Sequence, residues 1–519
     1  MRLTTLLLLV ILTISCTRSK KRPVLEVDIA IKNGLVYDGI SESPRSFTVG
    51  IEADKIVFLG TEEIIDVKAK KIIDASGKFV VPGFIDPHTH TTQDLNDSVA
   101  RHNLPFLTQG VTTVINGNDG RSPIPVGRAM KLWGLSGAGT NVGVLVGHGH
   151  VRRAAMGMEN RPPTPEEMQE MREIVTQAME DGALGMSTGL YYTPGNYAST
   201  EEVIELSKIV SDYGGIYDTH QRDESSYSIG LMNSIREVIR IGAEADIPVH
   251  ISHIKALGVD VWGKGPAMVA LIDSAKSVGI DVTANQYPYV ASGTSVGGST
   301  FPNWARAGGH EEMIKRIDDE VVGLTIREEM RDNLRRRGGP SSLLITRSGN
   351  PDWVGQTLED LSREWRLEPI EAALKIIKAG DASVASFNMT EEDIAVLMAQ
   401  PWCMTGSDGS AGHPRKYGTF PRKFRKYVIE DSVISFGRAV VASSGQVAET
   451  FNIKNRGQIK EGHFADIVVL DPTTIRDNST FEKPEQFASG IDYVLVNGRV
   501  AIEQGRYTGT LAGKILKRE

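Results

Sequence analysis

The residues best placed for chemistry are His88 and His90, in the run Pro82-Gly83-Phe84-Ile85-Asp86-Pro87-His88-Thr89-His90. The apolar stretches before them, Phe79-Val80-Val81 and Phe84-Ile85, read as strand. Residues two apart on a strand project from one face, so both imidazoles can reach a single atom from the strand's carboxyl end. A lone His-x-His is also what ordinary polar residues at a strand end look like. Four further strand-end signals argue against that reading: Asn116-Gly117-Asn118-Asp119-Gly120, Tyr217-Asp218-Thr219-His220, His250-Ile251-Ser252-His253-Ile254-Lys255 and Thr405-Gly406-Ser407-Asp408-Gly409. Histidines and aspartates converging at one end of a sheet suit a divalent ion such as Zn2+, which accepts imidazole and carboxylate together.

Those residues need elements to hold them. Apolar runs alternate with longer amphipathic stretches through the middle of the chain, the pattern of βα units around a parallel sheet. Eight strand candidates can be counted: Phe84–His88, Val111–Ile115, Val142–Val146, Ala183–Ser187, Ile216–Thr219, Pro248–Ser252, Asp281–Asn285 and Trp402–Gly406. Eight parallel strands with intervening helices make an α/β fold, a (β/α)8 TIM-like barrel, whose chemistry sits at the strands' carboxyl ends. Thr164 with Glu167, and Ser199 with Glu202, have capping-box spacing before helical apolar stripes. The gap between the seventh and eighth strands is too long for one crossover. An insertion at about 291–400, with helices at Glu311–Ile317, Thr325–Arg337 and Leu358–Trp365 and a strand at Leu343–Thr346, is expected to pack over the barrel mouth.

Short strands bounded by Gly, Asp or Ser fill both ends of the chain and predict one small β-sandwich built from them. The division is a leader and tether at 1–22, sandwich at 23–82, barrel at 83–454 and sandwich again at 455–519. Leu6 to Leu12 is apolar after Arg2 and runs into Ser15-Cys16, which is read as a signal peptide. Its end resembles a bacterial lipoprotein box. That resemblance implies export to the periplasm or the outer or cell membrane, with membrane contact only through a lipid on Cys16. The chain has 519 residues, a net charge of −8 and no basic block, which argues against a nucleic-acid partner. Its two cysteines, Cys16 and Cys403, make no disulfide framework.

The sequence resembles the amidohydrolase superfamily and, within it, the N-acyl-D-amino-acid deacylases. The stretches that carry the resemblance include Asp28–Gly34, Pro82–His90, Gly110–Val114 and Ser187-Thr188-Gly189-Leu190-Tyr191-Tyr192-Thr193-Pro194-Gly195. The segments around His220 and His253, Gly406–Gly409, His413–Arg422 and Ala465–Pro472 continue it over nearly the whole chain. It implies hydrolysis of the amide of a small N-acyl-D-amino acid by one or two divalent metal ions, zinc foremost. His88, His90 and Asp408 are implied as ligands of one ion, and His220 and His253 of the other. Asp408 is also implied as the proton carrier, a general base turned general acid. Asp119 stands where the family commonly has a ligating cysteine. A carboxylate is a harder ligand, which shifts the expectation toward Mn2+ or Co2+. Thr91-Thr92 replaces the family's pair of aspartates. Tyr192, Lys255 and Arg415 are implied as the grip on the substrate's α-carboxylate, with Arg suited to a bidentate contact and Lys to a point charge. Rival readings are a D-dipeptidase or a cyclic-amide hydrolase of the dihydroorotase or hydantoinase kind. From another class, a binding lipoprotein that has lost turnover is suggested only by Asp119 and Thr91-Thr92.

Overall fold

The computed structural model describes residues 22–63 and 65–518, so the apolar leader and Cys16 lie outside it. Eight parallel strands alternate with helices: Phe84–Asp86, Val111–Asn116, Asn141–Val144 resuming as Val146–Gly147, Gly185–Gly189, Ile216–His220, Val249–Ile251, Val282–Gln286 and Cys403–Thr405. They pair in that order. The ring closes just past the first and eighth strands, where Thr89 bridges Gly409 and the Asp408 N–H donates to the His88 carbonyl at 2.9 Å. The expected barrel is therefore the observed one. The sixth strand shows the logic of its layers. Val249 and Ile251 join the apolar layer beneath the helices, while His250 between them points inward to Thr283 and Asn285.

The helix Pro165–Asp181 starts on the expected capping box, with both reciprocal bonds between Thr164 and Glu167 present. At Ser199 only half of the expected box forms. The Ser199 hydroxyl accepts from the Glu202 N–H, but the Glu202 carboxylate is buried and turned to His148 at 2.9 Å and to Arg152. A buried ion pair outcompetes a cap here. His148 is thereby occupied in packing the third strand's helix.

The chain ends form two packed sheets, one from the first end alone and one shared by both ends. One sheet runs Lys55–Gly60, Thr48–Glu52, Val24–Lys32, Asp66–Asp74. In the seven-stranded sheet, Phe79–Pro82 from the first half pairs antiparallel with Ile467–Leu470 from the second. Ile31, Ile51, Val80, Ile467 and Leu495 share the core between the sheets. Gly83 alone separates Pro82 from the first barrel strand, and a Cβ there would collide with Thr112.

The segment between the seventh and eighth strands has its own sheet, with Ala382–Phe387 between Ala291–Ser295 and Leu343–Ser348, all antiparallel. Helices His310–Asp318, Val322–Arg336, Leu358–Trp365 and Pro369–Lys378 surround a separate apolar core that includes Ile326, Met330, Leu361 and Ile376. Gly293, Thr294 and Arg337 of this segment line one cavity with His220, His253 and Asp408, so the insertion covers the mouth.

Candidate functional site

Six side chains meet at the carboxyl end of the barrel. His88 and His90 follow the first strand and Asp119 the second. His220 ends the fifth, His253 follows the sixth and Asp408 the eighth. The His88 Nε2 lies 3.4 Å from Asp119 Oδ1 and 3.7 Å from Asp408 Oδ1. The His90 Nε2 lies 3.4 Å from Asp119 Oδ2 and 3.0 Å from Asp408 Oδ1. On its other side Asp119 Oδ1 is 3.7 Å from His220 Nδ1 and 3.4 Å from His253 Nε2. Two donor groups result, His88–His90–Asp119–Asp408 and Asp119–His220–His253, each with its donor atoms within 4.8 Å of one another. Asp119 is common to both.

The backbone is bent to achieve this. Asp119 (φ 56°), His253 (φ 36°) and Asp408 (φ 49°) all sit in the left-handed region without being glycine. Such conformations cost of order 1–3 kcal/mol each and persist where surrounding structure over-determines them. Asp86 helps to do so. Its Oδ1 accepts from the N–H groups of His88 at 3.2 Å and Ser407 at 3.0 Å, tying the ends of the first and eighth strands. Thr91 donates through its N–H and its hydroxyl to Asn116 Oδ1 at 2.9 and 3.0 Å, and so braces the second strand.

The chemistry of the donor set fits a divalent cation. His88 Nε2 and Asp119 Oδ1 are buried with no hydrogen-bond partner. Burial opposes the charged form of Asp119, but the surrounding imidazoles outweigh it and hold its carboxyl well below the usual range. At Asp408 burial is likewise outweighed, first by Arg415 and then by His90. The two carboxylates in turn overcome the burial of His90 and raise it to about 9, whereas burial lowers His220 to about 3, so its imidazole is neutral, with Nδ1 2.9 Å from His253 Nε2. Two buried carboxylates among imidazoles call for positive charge, and an ion supplies it in place of protons.

The three residues implied for the carboxylate grip lie beside this centre. Lys255 Nζ is 2.6 Å from Glu224 Oε1 and 2.7 Å from His253 Nδ1. Arg415 Nη1 is 2.8 Å from Asp408 Oδ2. The Tyr192 ring packs 4.6 Å from that of His220, with the Arg121 guanidinium 4.8 Å above it. Tyr287, not singled out from the sequence, stands between the two cations, with Arg415 4.8 Å and Lys255 5.7 Å from its ring centre. It follows the seventh strand, which carries no ligand-type residue, so only its position past a strand end could have signalled it. Tyr191, Tyr227 and Arg337 line the same cavity as His220, His253 and Lys255 and were also missed. Arg222 pairs with Glu237 at 2.8 Å, away from the centre. His150 lines a wider cleft that opens outward from His90, Asp119 and Asp408. Cys403 is buried within the eighth strand and belongs to neither donor group.

A barrel with a shared carboxylate between two histidine-rich donor groups defines a hydrolase of the metal-dependent kind. Residues 71–502 match the amidohydrolase family, and the chain belongs to it. It is 33% identical to a D-aminoacylase of Alcaligenes xylosoxydans xylosoxydans, over 95% of this chain and 98% of that protein. A solved D-aminoacylase structure superposes with a TM-score of 0.81 at 32% identity, covering 95% of this chain and all of the other. Its report concerns a binuclear metal centre with one-metal activation and second-metal attenuation. The N-acyl-D-glutamate deacylase of Bordetella bronchiseptica, solved with zinc and a phosphonate mimic of the tetrahedral intermediate, superposes with a TM-score of 0.80 at 29% identity. The match covers 95% of this chain and all of that one.

Proposed function

We propose that this chain is a metal-dependent deacylase that hydrolyses the amide of N-acyl-D-amino acids, releasing a carboxylate and a free D-amino acid. The observation that carries the reading is the His–Asp donor set with two buried cations in direct contact with it, Lys255 against His253 and Arg415 against Asp408. The similarity to D-aminoacylase supports it and is the source of the D preference.

In this reading His88, His90, Asp119 and Asp408 hold one ion and Asp119, His220 and His253 a second. Zinc is favoured by the relative solved with it, and Mn2+ or Co2+ by the carboxylate of Asp119. A divalent ion so held supplies a water of lowered pKa and a Lewis acid for the amide oxygen. The rest is done by the chain. Lys255 and Arg415 take the substrate's α-carboxylate, flanked by Tyr192 and Tyr287, and so orient the amide. Asp408 accepts the proton of the attacking water and returns it to the leaving nitrogen. The insertion restricts the entry of bulk water.

A panel of N-acetyl-D- and N-acetyl-L-amino acids, assayed with each metal, tests the reading. Turnover of the D series is expected, and its absence from the folded, metal-loaded protein would refute the assignment. We also infer export, supported by the apolar run Leu6–Leu12 before Cys16. Intact-mass analysis should show a lipidated Cys16 as the mature N-terminus, and an unprocessed Met1 would overturn it.

A further inference from the structure

Three successive arginines, Arg335-Arg336-Arg337, end the helix Val322–Arg336 of the insertion. Successive residues on a helix point about 100° apart, so the three cannot share one partner surface. Arg335 pairs with Asp260 at 2.8 Å and Asp332 at 2.9 Å, and Arg336 pairs with Asp332. Arg337 turns the other way. It is 3% exposed and lines the cavity that holds His220, His253, Lys255 and Asp408.

Arg337 has no ion-pair partner among the described residues. Its Nη1 donates to Ser386 Oγ at 3.3 Å and, with the Asn388 amide turned, to the Asn388 oxygen at 3.2 Å, both neutral acceptors. Its Nε has no acceptor. Tyr227, whose ring centre is 5.8 Å from the guanidinium carbon, has a buried hydroxyl that is also without a partner. One wall of the cavity therefore carries two unsatisfied donors.

Of the buried cations Lys255, Arg415 and Arg337, only Arg337 lacks an ion-pair partner among the described residues. Lys255 is answered by Glu224 and Arg415 by Asp408. The Arg337 guanidinium is left over. An unpaired buried charge is costly, and its planar fork matches a carboxylate. Leu257 and Tyr191 in the same wall offer apolar surface for the carbons that would carry that group.

We propose that Arg337 and Tyr227 form a second anion subsite, so that the preferred substrate carries a carboxylate besides its α-carboxylate. This rests on the deacylase reading above. The second carboxylate has two chemical sources, the amino-acid side chain and the acyl group, and both lead to the same donors.

The test compares kcat/KM within matched pairs on the metal-loaded protein. One pair is N-acetyl-D-glutamate against N-acetyl-D-glutamine, and the other is N-succinyl-D-alanine against its neutral succinamoyl analogue. The acid of at least one pair should be favoured by about tenfold or more, as expected for a desolvated charge contact. A glutamate preference assigns the subsite to the side chain, and a succinyl preference assigns it to the acyl group. Arg337→Met should abolish the preference, Arg337→Lys should restore only part of it and Tyr227→Phe should weaken it. The ratio within a pair is the readout, so a general loss of activity does not mimic the effect. Equal use of acid and amide by the wild type, or a preference that survives Arg337→Met, overturns the subsite. If no pair is turned over, the deacylase reading fails. Calorimetric affinities for the same pairs then decide the subsite by the same ratio.

Discussion

The Arg415 guanidinium lies 2.8 Å from the free oxygen of Asp408, whose other oxygen faces His90 at 3.0 Å. One cation thus touches both the implied proton carrier and the space where a substrate carboxylate is expected. A residue that only gripped the carboxylate would be dispensable for neutral amides and esters. This geometry predicts otherwise. Arg415→Ala should lower kcat on uncharged analogues as well as raise KM on N-acyl amino acids. The loss on free acids should be at least about thirtyfold, since removing one partner of a buried charge pair costs roughly 2–5 kcal/mol. Arg415→Lys should recover little, because an ammonium cannot span two carboxylates as a fork does. Steady-state kinetics on matched acid and amide substrates checks both statements. Full activity of Arg415→Ala on amides would show that the Asp408 contact is incidental.

Asp408→Asn should reduce turnover by about a thousandfold or more, because it removes both a charged ligand and the group that moves the proton. The fold should survive, since the strand Cys403–Thr405 is paired and buried before the chain reaches Asp408. Single-turnover assays on protein of known metal content, with a thermal melt as control, measure this.

Asp119 belongs to both donor groups, so Asp119→Ala should lower the metal content at both positions together. Asp119→Cys should keep the metal but move the preference toward Zn2+ over Mn2+ and Co2+, because a thiolate is the softer ligand. Metal analysis after equilibration with equimolar mixtures reads the ratio directly. Loss of one ion alone from Asp119→Ala would contradict a shared ligand.

Lys423 offers a test that does not involve the metal. It is 1% exposed beneath the eighth strand, and its Nζ donates to Thr405 Oγ1 at 2.7 Å. Burial lowers it from 10.5 to about 8. Between those values the unfolded chain holds a proton that the folded chain has lost, so stability contributed by this group rises with pH over that window. The burden of the buried charge is fully present below pH 8. Lys423→Met should remove it, narrowing the pH 7 to pH 10 difference in unfolding free energy by about 3 kcal/mol, from 1.36 kcal/mol per pKa unit. Denaturant unfolding of both proteins at the two pH values checks the sign.

The barrel was legible because each strand is an apolar run between helix signals, and Phe84–Asp86 through Cys403–Thr405 all lie within two residues of expectation. His88, His90 and His253 were legible because imidazoles at strand ends are conspicuous. The left-handed backbone of Asp119, His253 and Asp408 was not, since Asp and His adopt it more readily than most residues but the surrounding structure decides where they do so. In the insertion, Ala291–Ser295 and Ala382–Phe387 escaped notice because small, polar residues blur the period-two alternation. Tyr287 and Arg337 face the cavity from segments without a motif, and only the fold brings them there.

The central claim is that the His–Asp centre hydrolyses N-acyl-D-amino acids with a bound divalent ion. The most direct measurement follows release of free amino acid from N-acetyl-D- and N-acetyl-L-amino acids by protein stripped with a chelator and then titrated with Zn2+, Mn2+ or Co2+. The account predicts negligible release without metal, activity returning as the first one or two equivalents bind, and turnover confined to the D series. Release unaffected by chelation, or no release from any N-acyl-D-amino acid by folded, metal-loaded protein, would contradict it.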